Sequence, residues 1–123
     1  MAEMDVALKD ALQVDGAIAA AVVDSTSGMA LGTAGGNRDF DVTTAAAVNT
    51  EVLRAKLRTI ELLGLRETID DILVTLGSQY HLIRPVTGAS GRGLFVYLVL
   101  SRDRANLALA RHRLRMIEGA LEL

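Results

Sequence analysis

The side chains able to do chemistry are few, and they are poorly spaced for it. His81 and His112 are the only imidazoles, and there is no cysteine. Thiolate nucleophiles, disulfides and sulfur-ligated metals are therefore excluded. No third nitrogen or sulfur ligand is spaced near either histidine, so no metal site is expected. Asp70 and Asp71 could form a carboxylate pair, but adjacent residues of a strand point to opposite faces. Two glycine-rich runs, GTAGGN at 32–37 and GASGRG at 88–93, share only composition with phosphate loops. Neither has the GxxxxGK[ST] form, and the second leads into a strand, without the helix N-terminus that would hold an anion. No GxSxG elbow is present. The expectation is a protein without catalytic residues, cofactor or metal, in which surfaces do the work.

The totals agree. A chain of 123 residues has material for one core, so residues 1–123 are expected to be one domain. Half of the residues are hydrophobic, yet the aromatics are only Phe40, Tyr80, Phe95 and Tyr97. Such a core is aliphatic and alanine-rich, with elements in close approach. A net charge of −2 with mixed signs lacks the concentrated basic surface of a nucleic-acid protein. The first apolar run, 17–23, is too short for a membrane span and wrongly flanked for a signal peptide. A soluble cytoplasmic location is the expectation, with no membrane or nucleic-acid partner.

The element that must present any surface is the helix predicted over 41–63. Asp41 is placed to cap its first turn and Gly64 to stop it. At about 100° per residue, Ala46, Leu53, Leu57 and Ile60 form one apolar ridge, and Val48, Val52, Ala55, Leu62 and Leu63 a second. Glu51, Arg54, Arg58 and Glu61 make the opposite, polar face. One ridge can cover the chain's own sheet; the other belongs either to a broad buried face or to a partner helix from a second copy. Which ridge faces inward is open at this stage.

Around this helix the pattern is helix, two strands, helix, three strands, helix. Residues 2–12 read as a short amphipathic helix ended by Gly16. The run 17–23 could be helical on alanine content, but its length and the Asp24–Gly28 turn favour a strand. Residues 29–33 return as a second strand with little bulk, expected at a sheet edge that a second copy could pair with. Residues 67–76, 79–84 and 94–100 supply three more strands. The last is apolar at every position and so is expected to be buried on both faces. Ser101 or Asp103 could cap a final helix over 104–121 with core ridge Leu107, Ala110, Leu114, Ile117 and Leu121. Arg104, Arg111 and Arg115 share one stripe of it, read as a solvated face balanced by Glu118 and Glu122, or as a docking face for an acidic partner.

Three stretches, AAAVVDSTSGMAL, ILVTLGSQYHLIRPV and GLFVYLVLSRDRANLALARHRLRMIEGAL, give the chain over nearly its whole length a resemblance to the roadblock/dynein-light-chain family and its short bacterial members. The resemblance implies an α+β fold of order α-β-β-α-β-β-β-α, roadblock/profilin-like. Its five-stranded antiparallel sheet would carry the middle helix on one face and the terminal helices on the other. It also implies a non-catalytic homodimer joined through the second strand and the middle helix. On that basis Met29, Leu31, Val48, Val52, Ala55 and Leu62 are the expected dimer residues. The family's small Ras-like GTPase partners make Glu51, Arg54, Arg58 and Glu61 the candidate partner stripe. A nucleotide-independent scaffold of a signalling or motility complex, or a small-ligand sensor, is the alternative.

Overall fold

The computed structural model describes residues 3–88 and 93–122. Helix α1 (Met4–Leu12) precedes strands β1 (Ala17–Asp24) and β2 (Ala30–Gly35). Helix α2 (Val42–Leu62) leads to β3 (Ile72–Thr75), β4 (Gln79–Pro85) and β5 (Leu94–Ser101), and α3 (Leu107–Ala120) closes the order. The five strands form one antiparallel sheet in the order β2-β1-β5-β4-β3. The fully apolar strands β1 and β5 are central, as their patterns require, and β2 and β3 are the two edges.

Alternation along the central strands separates two cores. Ala20, Val22, Leu82, Val96, Leu98 and Leu100 face α1 and α3, which contribute Ala7, Leu8, Ala11, Ala110 and Leu114. Ala19, Ala21, Val23, Ile83, Phe95, Tyr97 and Val99 face α2, which contributes Val42, Ala46 and Leu53. Small residues set the spacing of the layers. A Cβ on Gly32 would come 2.8 Å from Met4 Sδ and 2.9 Å from Leu8 Cδ1, so glycine there lets α1 lie close on the β2 edge.

The bounds of α2 follow its end signals. The Asp41 carboxylate accepts from the amides of Thr43 and Thr44 and from the Thr44 hydroxyl. Those bonds hold its pKa below the ordinary carboxylate value. Gly64 takes a positive φ of 68° just past the helix and donates its amide to Glu61.

Other elements differ from expectation at their ends. Strand β3 is four residues long, without 67–71 and 76. Helix α3 starts at Leu107, capped by Asn106, which accepts from Leu109 N at 3.1 Å. The backbone at Ser101 instead accepts from Ala105 N and Arg104 N, which turns the chain before the helix begins. Glu118 departs from the solvated face assigned to it. It is 3% exposed and accepts from Arg84 Nε at 2.9 Å and from the Thr87 amide and hydroxyl at 3.3 and 3.2 Å. Arg111 is balanced by Asp71 through two bonds of 2.9 and 2.6 Å, which hold the guanidinium more firmly charged. Residues 89–92 of the second glycine run lie outside the described residues, as do residues 1–2 and 123.

Candidate interaction surface

The sheet-facing ridge of α2 is the one with Ala46 and Leu53. Both are buried, with Val42 and Thr50 beside them, and Ile60 is half-buried at the C-terminal end. Leu57, assigned to the same ridge, stays 47% exposed. It lies over an apolar hollow of about 390 Å³ lined by Ile69, Pro85, Val86 and Thr87. The second ridge is uncovered by the described residues: Val48 is 60% exposed, Val52 39% and Leu62 80%, and Ala55 and Leu63 are exposed as well. Val52, Ala55 and Thr59, with Lys56, form one wall of a groove of about 550 Å³ whose other wall is Asp71 and Ile72. The apolar stripe therefore borders the β3 edge.

The opposite flank of α2 is tied to the turn between β1 and β2. Arg54 lies about 160° around the helix from Val52. Its Nε donates to Ser25 O at 3.0 Å, one terminal nitrogen donates to Thr26 O, and the other pairs with Glu51 at 2.8 Å. Gly28, in the same turn, sits beside Ala47 and Thr50. Of the proposed partner stripe, Glu51, Arg58 and Glu61 are thus exposed, while Arg54 is half-buried and spends its guanidinium on the protein's own backbone.

Met29 and Leu31 are exposed, but they are not brought together with the helix stripe. Leu31 borders a shallow hollow with Met4, Asp5 and Leu8 on the α1 side of the sheet. Within one chain the β2 edge and the α2 stripe are not neighbours: the Arg54 contacts tie the β1–β2 turn to the flank of the helix opposite Val52. Ile72 and Val74 of β3 are the neighbours that sequence reasoning missed. Both are half-buried on the α2 side of the sheet. The signal was present in their alternation, but the order of the strands was needed to make β3 an edge.

Beneath α2 a chain of polar groups crosses from helix to sheet. Asn49 Nδ2 contacts Ala45 O at 2.8 Å and Tyr97 Oη at 3.3 Å, Tyr97 Oη meets His81 Nδ1 at 3.0 Å, and His81 Nε2 meets Gln79 Oε1 at 2.9 Å. Phe40 stands edge-on to the imidazole, with ring centres 5.8 Å apart. Burial pushes the Tyr97 phenol up to about 12, against a smaller opposing effect of the Asn49 hydrogen bond, and lowers the His81 pKa. His112 is exposed on α3. Among the described residues no cluster of three or more His, Asp or Glu is placed to hold a metal, and no helix is long and apolar enough to cross a membrane.

No family model matches the sequence, and no curated protein matches it. Solved structures do. A roadblock/LC7 domain from Streptomyces avermitilis superposes with a TM-score of 0.80 at 14% identity, over 97% of this chain and 94% of that one. Myxococcus xanthus MglB gives 0.73 at 19% identity, over 92% and 77%. The gliding protein MglB from Thermus thermophilus gives 0.69 at 17%, over 93% and 87%. At these identities the likeness is one of architecture, and it extends across the whole element order. The chain has the roadblock/LC7 fold.

Proposed function

We propose that residues 1–123 are one non-catalytic roadblock domain that acts as a homodimer in the cytoplasm and regulates a small Ras-like GTPase. The observation that carries the reading is the uncovered apolar stripe Val48–Val52–Ala55–Leu62 beside the open β3 edge. A second copy related by a two-fold axis covers both at once, with stripe on stripe and β3 beside β3. The pairing leaves Glu51, Arg58 and Glu61 on the outer side of the joined helices, where a partner can read them. The GTPase as partner rests on the family resemblance and on the likeness to MglB.

Sedimentation of the purified protein tests the dimer. Capture from lysate of the source cell, run with a non-hydrolysable GTP analogue and with GDP, tests the partner. A small GTPase retained only with the analogue, and lost on Arg58→Glu with Glu61→Lys, supports the proposal. A partner recovered regardless of nucleotide makes the protein a scaffold and refutes the regulatory role.

A further inference from the structure

The polar chain under α2 has a direction, and the direction is fixed at one end. Asn49 Nδ2 is bonded to a backbone carbonyl of its own helix, Ala45 O. Turning the amide over would set two oxygens against each other, so the amino group must also be what faces Tyr97. The Tyr97 oxygen therefore accepts from Asn49, and the arrangement that leaves no hydrogen of the chain unused sends its single proton to His81 Nδ1. Nδ1 is then the unprotonated nitrogen, and Nε2 carries the hydrogen donated to Gln79 Oε1. Every group is satisfied once, and only with neutral His81.

We propose that this chain is a proton-sensitive latch on α2. A proton added at His81 Nδ1 sets an N–H against the Tyr97 O–H, the phenol turns away or gives up its bond from Asn49, and the helix loses its polar tie to the sheet. The latch lies under the helix that carries the uncovered stripe, so acidification weakens the α2 surface; this last step rests on the dimer proposed above.

Among the described residues, no acidic side chain bonds to the half-buried ring. From β5 the facing group is Tyr97, from α2 it is Asn49 through that phenol, from β3 it is Val74 opposite in the ladder, and from the segment before α2 it is Phe40. Among the described residues, none of the charged groups on these elements bonds to the chain of four. Asp41 caps α2, Asp71 holds Arg111 on the other side of the sheet, and Asp39 and Lys56 make no bond to the chain of four. Desolvation of the ring acts in the same direction, keeping His81 neutral in the folded protein. The sign follows. The unfolded chain takes up the proton at the ordinary histidine pKa and the folded chain only below it, so stability falls as pH drops through that interval. Each unit of depression corresponds to about a tenfold loss in the closed-to-open ratio of α2.

The test is NMR of imidazole nitrogens and of amide exchange in the full-length protein between pH 7.5 and 5, beside His81→Gln. The expected result has three parts: an Nε2–H tautomer at pH 7.5, a His81 midpoint below the ordinary histidine value, and intrinsic-rate-corrected protection of Asn49 to Leu53 falling with that midpoint in wild type but flat in His81→Gln. An Nδ1–H tautomer, an unshifted midpoint, wild-type protection unchanged by pH, or an equal fall in His81→Gln overturns the latch. The wild-type tautomer and midpoint decide the matter even if the variant fails to fold. Sedimentation of the same samples separates the two proposals: a monomer at every pH whose α2 protection still follows His81 keeps the latch and removes the dimer.

Discussion

Replacing Glu118 with Leu is the sharpest test of the packing. The carboxylate is enclosed between α3 and the end of β4, with its side chain 2% and that of Arg84 11% exposed. Leucine removes the acceptor for Arg84 Nε and for the amide and hydroxyl of Thr87 in one step. Arg84 keeps a single bond, from its terminal nitrogen to Asp70 O at 3.2 Å, and its charge is left enclosed. Breaking a buried pair from one side costs about 3–5 kcal/mol. Unfolding entropy of about 2.1 cal/mol/K per residue turns this into a fall in Tm of roughly 12–19 °C for a chain of this length. The cost arises from the stranded charge more than from the lost attraction. Glu118→Leu combined with Arg84→Met should therefore recover most of the loss, and the two single changes should be strongly non-additive. Thermal and urea unfolding of the four proteins measures this. A loss under about 1 kcal/mol for Glu118→Leu, or a double mutant equal to the sum of the singles, refutes the assignment of a dry ion pair.

Leu53→Arg should prevent folding, since Leu53 is enclosed against the sheet, whereas Val52→Arg should leave a folded monomer; circular dichroism with sedimentation separates them, and equal behaviour means the ridges are misdivided. Arg54→Ala removes two bonds to the turn backbone and should cost about 1–3 kcal/mol, with amide exchange rising at Ser25 to Ser27 before it rises in β5; a cost near zero makes Arg54 a free surface group after all. Asp41→Ala should destabilise α2 at neutral pH. In wild type the same contribution is present above the ordinary carboxylate pKa and is lost as pH falls through the depressed folded value, so the variant and wild type should converge in acid.

Much of the architecture was legible because local signals agreed. Asp41 and Gly64 bound α2 by capping chemistry, and an unbroken apolar run could place Leu94–Leu100 only at the centre of a sheet. The failures share a cause: the residue's partner lay far away in sequence. Glu118 sits four after Leu114 and three before Leu121, inside the buried arc, yet its charge suggested solvent. The missing knowledge was that Arg84, on the same face as Tyr80 and Leu82, would stand opposite it. Arg54 was likewise read from its own helix, although a turn some 28 residues earlier consumes its donors. The α2 stripe itself was readable from periodicity. Its neighbour was not, because the flank on which β3 lies depends on strand order.

The irregularity in β2 has a consequence for growth. Val22 pairs with Gly32 and Val23 with Ala30, so Leu31 is an extra residue with no counterpart in β1. If two copies join at β3 as proposed, one edge of each is used and β2 stands at both ends of the joined sheet, open to further copies. A strand carrying an unmatched residue is bent and more twisted than its neighbour. An incoming regular strand would lose register at that residue. In the proposed dimer the unmatched leucine would act against further strand addition, favouring a finite particle over a fibre.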